Sequence, residues 1–331
     1  MITKLNFKSF YKEYIPRFNR EYRNCIKATL PVTLYDPIHY VLDNPGKQIR
    51  PAFLAAIASV QGNSSFDDIF PAACCVEMIH NFTLVHDDIM DGDLLRHGKE
   101  TVHTKWSKNE AILSGDELFA IALKQLDHYT IKPDLYARIV PIVLEAVIVV
   151  CEGQAQDMEF ESRDDVTLTE YLEMVEKKTA WLLAVSARIG AVIGGAEKNE
   201  EILIEKIIRE LGIVFQIQDD LLELISNAEN MGKSLGSDLV KQKKTFPYLY
   251  AKQEFNKLEW EKFQNSITED FIDIHGVEPA RKIMEDNFIF DKISEVITLR
   301  HVTIQDLINE LPIRSRDMFN SIIEFIMNRK K

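Results

Sequence analysis

Two short acidic stretches, far apart in the chain, repeat one spacing of carboxylates. Residues 84–91 read L-V-H-D-D-I-M-D, and residues 215–223 read F-Q-I-Q-D-D-L-L-E. The carboxylates at positions i, i+1 and i+4 are Asp87, Asp88 and Asp91 in the first stretch and Asp219, Asp220 and Glu223 in the second. On a helix, positions i and i+4 share one face, so each stretch predicts two carboxylates that point the same way.

These carboxylates repel one another unless a cation lies between them. Like charges four residues apart destabilise a helix, and both stretches lie in apolar sequence where unpaired acids are costly. Mg²⁺ prefers one or two carboxylates together with substrate phosphates, which matches this spacing. One acidic triplet is most often a solvated helix face, whereas two within apolar runs favour a metal site. We expect the two turns to face each other across the core of a helix bundle.

Basic residues accompany both acidic stretches. They are Lys47 and Arg50 in G-K-Q-I-R-P, Arg96 after the first stretch, and Lys178, Lys233 and Lys243 further on. Carboxylates bind the metal, the metal binds a diphosphate, and lysine and arginine neutralise the remaining phosphate oxygens. The sequence therefore predicts a metal-assisted site for a diphosphate.

Composition excludes several classes of protein. The chain has 331 residues, of which 46% are hydrophobic, so it can bury a large core. A formal net charge of −13 argues against nucleic acid as a partner and against docking on an anionic membrane. No apolar run reaches the roughly 20 residues that cross a membrane, since the longest, residues 139–151, contains Glu145. We therefore expect no transmembrane segment.

The cysteines indicate neither a zinc site nor a disulfide framework. No two of them are spaced C-x-x-C, and no histidines cluster beside them. They are Cys25, Cys74, Cys75 and Cys151. Reduced thiols and an N-terminus that does not read as a signal peptide predict a cytoplasmic protein.

Helical periodicity dominates the chain, and no segment alternates as a strand does. Pro16 is expected to break or kink the N-terminal helix, whereas Pro37 and Pro51 are expected to open helices. Thr167 and Glu170 form a capping box that starts a helix running to about residue 193. We predict an all-α protein, a single domain over residues 1–331 in which long helices surround a central catalytic cavity.

Taken in order, these motifs resemble the trans-prenyl diphosphate synthases, also called polyprenyl synthetases. The resemblance covers roughly residues 44–252. The matching segments are G-K-Q-I-R-P at 46–51, L-V-H-D-D-I-M-D at 84–91, R-H-G-K-E-T-V-H at 96–103, A-I-L-S-G-D at 111–116, G-Q at 153–154, K-T at 178–179, F-Q-I-Q-D-D-L-L-E at 215–223, G-K-S-L-G-S-D at 232–238 and K-K-T at 243–245. One acidic motif alone is a weak signal, but two in this order with these basic motifs are specific.

The resemblance implies a prenyltransferase that joins isopentenyl diphosphate to an allylic diphosphate with Mg²⁺, three ions per active site, and that forms a homodimer. It implies that Asp87, Asp91 and Asp219 bind the metal, with Asp88 and Asp220 completing the catalytic motifs. The groups implied to contact the allylic diphosphate are Arg96, Lys178, Lys233 and Lys243. Those implied to bind isopentenyl diphosphate are Gly46, Lys47, Arg50, His80 and His97, and Thr179 and Gln216 are expected near the allylic cation.

The sequence departs from the family pattern at three positions. His97 replaces a second arginine, Gln48 replaces a basic residue, and Glu223 replaces an aspartate. A neutral histidine does not reproduce the fork of a guanidinium, so His97 and Gln48 are expected to weaken the isopentenyl diphosphate site. Glu223 keeps its charge with a longer reach.

Product length in this family depends on residues just before the first acidic motif. Phe82 and Thr83 lie five and four residues before Asp87, which places Phe82 about 7.5 Å along the helix. With Phe82 as a floor and the small Thr83 above it, the pattern resembles archaeal-type geranylgeranyl diphosphate synthases and predicts a twenty-carbon product. The alternative is that Ile79, Val76 or a partner subunit sets the floor.

Other readings remain open from sequence alone. The product could be farnesyl diphosphate or a longer polyprenyl diphosphate. A class I terpene cyclase uses similar acidic motifs but does not need the basic G-K-x-x-R segment, and a non-catalytic synthase subunit typically loses acidic motifs that this chain keeps. Lys177 rather than Lys178 could be the lysine of the site.

Overall fold

The computed structural model of the protein describes residues 6–62, 64–225, 237–240 and 243–327. Of the residues that the structure describes, 83% are helical, which confirms the predicted all-α class. Within the described ranges the only strands are β1 (Leu95–Arg96) and β2 (Lys99–Glu100), which pair antiparallel as a short hairpin.

The helices have the following bounds in chain order. Those up to residue 161 are α1 (Phe7–Asn24), α2 (Val32–Asp43), α3 (Ile49–Gln61), α4 (Phe66–Asp91), α5 (Val102–Lys105), α6 (Lys108–Gln125), a 3₁₀ segment (Leu126–Ile131) and α7 (Pro133–Glu161). The next are α8 (Leu168–Val175), a π turn (Glu176–Ala180), α9 (Trp181–Ile193), α10 (Lys198–Ile225) and α11 (Ser237–Val240). The last are α12 (Phe246–Glu254), α13 (Lys257–Ser266), α14 (Glu269–His275), α15 (Glu278–Asp286), α16 (Ile289–Glu310) and α17 (Ile313–Met327).

The described residues form two compact units. Unit 1 comprises the described parts of residues 1–148, 182–208 and 308–326. Unit 2 comprises those of residues 149–181, 209–307 and 327–331. The single domain over residues 1–331 stays a prediction.

The centre of unit 1 is built on α3 and α4. Residues 51–58 of α3 and residues 71–79 of α4 are all buried. Gly190 of α9 packs directly on α3, since a Cβ at Gly190 would come within 2.3 Å of the Leu54 carbonyl oxygen. This tight packing holds α9 against α3. Helix α4 lies in the same core and carries the first acidic turn at its end.

Local sequence sets both ends of α4. At its start, Ser65 Oγ accepts a hydrogen bond from the Asp68 amide at 3.2 Å, and the Asp68 carboxylate reaches back to Ser65 in a capping box. At its end, Gly92 adopts a φ of 67°, a left-handed conformation that favours glycine. The helix therefore stops directly after the last acid of the motif.

Helix α4 is the one helix in the described parts of the chain that is long and apolar enough to cross a membrane by length and composition. The sequence analysis did not single it out because polar residues interrupt its apolar run. In the structure, 67% of its most apolar window is buried inside the protein. One such helix is weak grounds for a membrane span, and its burial is typical of a core helix.

Pro16 does not break the N-terminal helix, because α1 continues through it. The expectation that Pro37 opens a helix is wrong, since Pro37 lies inside α2, which begins at Val32 after Pro31. In α1 the stacked rings of Phe18 and Tyr22, 5.3 Å apart, belong to a buried aromatic row that outweighs the hydrogen bond a proline removes.

Helix α3 also begins earlier than expected, at Ile49 rather than Pro51. Pro51 is its third residue. The first amides of a helix have no intrahelical partner, so a proline there removes no hydrogen bond. Arg50 is therefore held on the first turn of a buried helix.

Unit 2 contains the helix that the Thr167 capping box begins, as predicted. The expected continuous helix to residue 193 is instead interrupted by the π turn over Glu176–Ala180. Arg209 of α10 pairs with Glu176, and its guanidinium lies 4.4 Å from the centre of the Trp181 ring. These contacts hold both ends of the π turn, which a pattern of apolar spacing does not reveal.

Candidate active site

The first acidic turn is organised by one arginine. Asp88 is buried, and its Oδ1 accepts a hydrogen bond from Arg96 Nε at 2.6 Å, while Arg96 Nη2 lies 3.7 Å from Asp87 Oδ2. Burial raises the pKa of Asp88 to about 6, against the lowering effect of the Arg96 charge. Asp87 and Asp91 are less buried than Asp88 and share a helix face.

The β1–β2 hairpin positions Arg96. His97 and Gly98 form its two-residue turn with φ values of 52° and 77°, as a type I′ turn requires. Thr101 Oγ1 donates to the Asp93 carbonyl at 2.8 Å and ties the hairpin back to the end of α4. The stretch read as a polar loop from sequence is thus a small scaffold that holds a guanidinium against the acids.

Basic groups predicted to bind isopentenyl diphosphate lie together around His80 in unit 1. Burial lowers the pKa of His80 well below its usual value, and the positive charges of Arg50, Arg96 and His97 lower it further. The structure therefore brings α3, α4 and the hairpin to one cationic centre. Such a centre suits a diphosphate, which carries several negative charges.

The loop before α3 extends this cationic centre. A Cβ on Gly46 would lie 3.5 Å from His97 Cε1, so the loop passes beside the imidazole. Burial lowers the pKa of His97, and the charges of Arg96 and Lys47 add to the effect. The hydroxyl of Tyr11 donates to the Lys47 carbonyl at 2.5 Å and anchors the loop. Sequence reasoning missed Tyr11, which is 36 residues away along the chain.

The second acidic turn lies in α10, within unit 2. Asp220 is 7% exposed, and its carboxylate accepts hydrogen bonds from the Tyr171 hydroxyl, from Gln216 Nε2 at 2.8 Å and from the Phe246 amide at 3.0 Å. Burial raises the pKa of Asp220 to about 6. Asp220 is thus held by the protein itself.

Glu223 closes this turn against the segment that precedes α12. Its Oε1 accepts a hydrogen bond from the Asp238 amide at 3.1 Å. Burial and the neighbouring Glu223 carboxylate raise the pKa of Asp238 to about 7, and Lys243 opposes both effects. Lys243 therefore lies in the electrostatic environment of the second motif. Lys233 lies outside the described residues.

The π turn presents the other predicted polar groups of unit 2. Lys178 Nζ donates to Asp157 Oδ2 at 2.6 Å, and Thr179 Oγ1 donates to Gln216 Oε1 at 3.4 Å. Gln216 donates in turn to Asp220, so Thr179, Gln216 and Asp220 form one network. Lys177 pairs instead with Glu152 at 3.2 Å.

Two glycines allow the π turn to pack closely. A Cβ on Gly153 of α7 would lie 2.4 Å from the Lys178 amide nitrogen. A Cβ on Gly212 of α10 would lie 2.6 Å from the Ala180 Cβ. The G-Q motif predicted at 153–154 thus has a steric reason, and Gly212 is a site-supporting residue that the sequence analysis missed.

The candidate chain-length residue Phe82 lies against α6. Its ring centroid is 5.4 Å from that of Phe119 and 5.2 Å from that of His86. Thr83 Oγ1 donates to the carbonyl of His80 at 2.8 Å. Phe119 was not identified from sequence, because a lone aromatic on an apolar helix face gives no sign of its partner.

The donor set of the acidic motifs suits a hard divalent cation. No cluster of three or more histidine, cysteine, aspartate or glutamate side chains that could hold a metal occurs among the described residues. Mg²⁺ needs only one or two protein carboxylates when substrate phosphates and water complete its octahedron. Asp87 and Asp91 are two such carboxylates on one face of α4.

Comparison with known proteins decides the family. The sequence profile of the polyprenyl synthetase family matches residues 31–284. The chain belongs to the polyprenyl synthetase family. The resemblance drawn from its motifs is thereby confirmed, and the protein is a trans-prenyltransferase of a family that uses a divalent metal ion for catalysis.

Individual members of the family agree over most of the chain. A geranylgeranyl diphosphate synthase of Methanosarcina mazei is 42% identical over 71% of this chain and 72% of its own length. A geranylfarnesyl diphosphate synthase of Natronomonas pharaonis is 34% identical over 90% of this chain and 91% of its own. A crystal structure of a geranylgeranyl pyrophosphate synthase is 32% identical, with a TM-score of 0.88 over 99% of this chain and 100% of that one.

Proposed function

We propose that this protein condenses isopentenyl diphosphate head to tail with allylic diphosphates and ends at geranylgeranyl diphosphate, a twenty-carbon chain. The observation that supports the condensation most directly is the cationic centre of Arg50, His80, Arg96 and His97 beside the first acidic turn. A site for one diphosphate thus adjoins carboxylates suited to a metal-bound second one.

Each motif has a distinct part in this account. Asp87 and Asp91 of the first turn and Asp219 of the second would hold Mg²⁺, which when bound would supply neutralising charge for the leaving diphosphate. Arg96 and the lysines Lys178, Lys233 and Lys243 neutralise the remaining phosphate oxygens.

The residues of the cationic centre hold isopentenyl diphosphate by its charged end. Gly46 and Lys47 supply the loop, and Arg50, His80 and His97 complete the donors. His80 is neutral near pH 7 because its pKa is lowered, so it donates a hydrogen bond without adding a full charge. His97, whose pKa is also lowered, likewise offers less charge than the arginine usual at that position.

Thr179 and Gln216 are the polar groups proposed to lie near the allylic cation. Their mutual contact and the bond from Gln216 to Asp220 fix the Gln216 amide. The cation requires a dry environment so that water does not capture it before the double bond of isopentenyl diphosphate attacks. The proton then lost is proposed to go to the released diphosphate, and the proposal requires no side-chain base.

The twenty-carbon product rests on the aromatic contact at Phe82. Phe82 lies about 7.5 Å along α4 from Asp87, and Phe119 backs its ring from α6. An aromatic pair blocks a growing chain more firmly than one ring that can turn aside. The second candidate is a twenty-five-carbon product, which the similarity to a geranylfarnesyl diphosphate synthase favours.

A terpene cyclase and a non-catalytic subunit are less well supported. A cyclase has no need of a second diphosphate site, whereas here the charge of Arg50 reaches His80 and that of Lys47 reaches His97. A non-catalytic subunit has no need of two intact acidic turns. We further propose a cytoplasmic homodimer.

The test is incorporation of labelled isopentenyl diphosphate by the purified protein, with geranyl diphosphate as the starter. We expect incorporation with Mg²⁺, none with a chelator, and recovery when Mg²⁺ is returned. Product release from geranyl diphosphate without any uptake of isopentenyl diphosphate would favour a cyclase. No turnover with either substrate would contradict the proposal.

A further inference from the structure

Tyr11 of α1 joins the C-terminal helix α17 to the loop that carries Lys47. Its hydroxyl donates a hydrogen bond to the Lys47 carbonyl at 2.5 Å, and its ring centroid lies 5.3 Å from that of Phe325 in α17. All three residues belong to unit 1. One side chain of α1 therefore contacts both the last helix of the described chain and a loop of the candidate active site.

The position of Tyr11 is fixed by a set of contacts one helical turn earlier. The amide of Phe7 donates to Ser321 Oγ of α17 at 2.7 Å. The buried Phe7 ring lies 5.0 Å from the ring of Phe325 and 5.2 Å from that of Phe53 in α3, edge to face in both cases. Such pairs stabilise beyond the burial of their area, and Tyr11 lies on the same face of α1 as Phe7.

The Lys47 loop needs contacts that hold its backbone. Gln48, the next residue, is buried and has a φ of 48°, a left-handed conformation that residues with a Cβ rarely adopt. Local strain of this kind persists only where the surroundings hold it. The bond from Tyr11 is one such contact. On its other neighbour, Gly46, a Cβ would lie 3.5 Å from His97 Cε1, so a shift of the loop would reach the candidate diphosphate site.

We propose that Tyr11 is a positioning residue that holds the Lys47 loop for isopentenyl diphosphate, and that Phe325 of α17 holds Tyr11 in turn. This inference rests on the proposed function, since it assigns the loop to that substrate. In this role neither side chain contacts substrate. Helices α1 and α17 carry none of the motifs of the acidic and basic site, yet they contribute to the affinity for one of the two substrates.

The hydroxyl is tested by Tyr11→Phe, which keeps the ring beside Phe325. We expect the KM for isopentenyl diphosphate to rise roughly threefold to tenfold, as for the loss of one hydrogen bond, while kcat and the KM for geranyl diphosphate change by less than about twofold. Tyr129→Phe is the matched control, because the Tyr129 hydroxyl also donates to a backbone carbonyl at 2.5 Å, that of Asp68 at the start of α4. It should lower the melting temperature and leave both KM values unchanged.

The ring contact is tested by Phe325→Ala, with Phe325→Leu as the milder change. We expect Phe325→Ala to raise the KM for isopentenyl diphosphate and to leave that for geranyl diphosphate within about twofold. Because both changes act through one hydrogen bond, adding Phe325→Ala to Tyr11→Phe should raise the KM by less than about twofold more. Phe10→Ala is the control, since Phe10 precedes Tyr11 in α1 but stacks on Tyr14 at 5.6 Å.

The outcomes separate this inference from the proposed function. An active wild type in which Tyr11→Phe leaves the KM for isopentenyl diphosphate within about twofold would overturn the positioning role. Equal increases in both KM values, or the same increase in Tyr129→Phe, would overturn it as well. If Phe325→Ala does not fold, Phe325→Leu takes its place, and an unchanged KM would remove Phe325 from the proposal. An inactive wild type would instead refute the proposed function.

Discussion

The adjacent aspartates of the second acidic turn have different surroundings, so substitutions at the two positions should affect different properties of the protein. Asp220 accepts bonds from Tyr171, Gln216 and the Phe246 amide, whereas Asp219 is the proposed metal ligand. We predict that Asp220→Asn lowers the free energy of unfolding by about 1–3 kcal/mol, because an amide cannot accept from all three donors. Asp219→Asn should lower kcat at least roughly a hundredfold, because the proposed metal ligand loses its charge.

Chemical denaturation and steady-state rates on the same protein samples would check this pair. Asparagine has the shape of aspartate at both positions, so each variant serves as the control for the other. A loss of kcat in Asp219→Asn no larger than that in Asp220→Asn would contradict the assignment of Asp219 as the metal ligand.

Phe82 and Phe119 should act together as the floor for the growing chain. We predict that Phe82→Ala shifts the main product to twenty-five carbons or more, and that Phe119→Ala does so to a smaller extent because Phe82 remains. Sizing of the dephosphorylated products by chromatography would measure this. Phe10, which stacks on Tyr14 in α1 instead, supplies a control in Phe10→Ala. If a variant that combines Phe82→Ala with Phe119→Ala gave the same product as the wild type, another residue would form the floor.

At the scale of elements, we expect a methyl group added beside the π turn to distort the turn. Gly153→Ala would bring a Cβ within 2.4 Å of the Lys178 amide nitrogen, so the turn has to shift. We predict a fall in kcat of roughly tenfold or more, since Lys178 and Thr179 would be displaced. Gly190→Ala, which meets the Leu54 carbonyl at 2.3 Å, should cost comparable stability.

Comparing these two glycine variants separates an effect on the π turn from a general loss of stability. Thermal unfolding would show whether both proteins are similarly weakened, and kinetics below the transition would show whether only Gly153→Ala loses rate. A similar loss of rate in both would mean that the π turn has no special part in the chemistry.

The elements also show where sequence reasoning succeeds. The i, i+1, i+4 spacing identified both acidic turns because helical periodicity fixes which side chains share a face. It could not identify Tyr171 as a partner of Asp220, because 49 residues separate them and a tyrosine in an apolar helix is usually only a core residue. Sequence reasoning did not predict the π turn or the helical position of Pro16 for a related reason. Contacts of Arg209 and Trp181 at the π turn, and of the aromatic rings along α1, override the local preference of the sequence.

For the whole molecule, the account predicts a homodimer. Several apolar side chains of unit 1 remain exposed on two of its helices: Ile112 and Leu113 of α6, and Leu144 and Ile148 of α7. Exposed apolar surface of this kind is typical of a protein interface. Light scattering should give twice the 38.2 kDa of one chain, and Leu113→Glu with Ile148→Glu should shift it toward the monomer. The exposed Leu299 and Val302, changed in the same way, serve as the control.

The central claim is chain elongation that stops at twenty carbons, and product analysis tests it most directly. Purified protein would be incubated with Mg²⁺, labelled isopentenyl diphosphate and, separately, the five-, ten- and fifteen-carbon allylic starters. The account predicts a single twenty-carbon end product from every starter. A different end length would keep the enzyme class and contradict the assigned floor, and no incorporation from any starter would contradict the account as a whole.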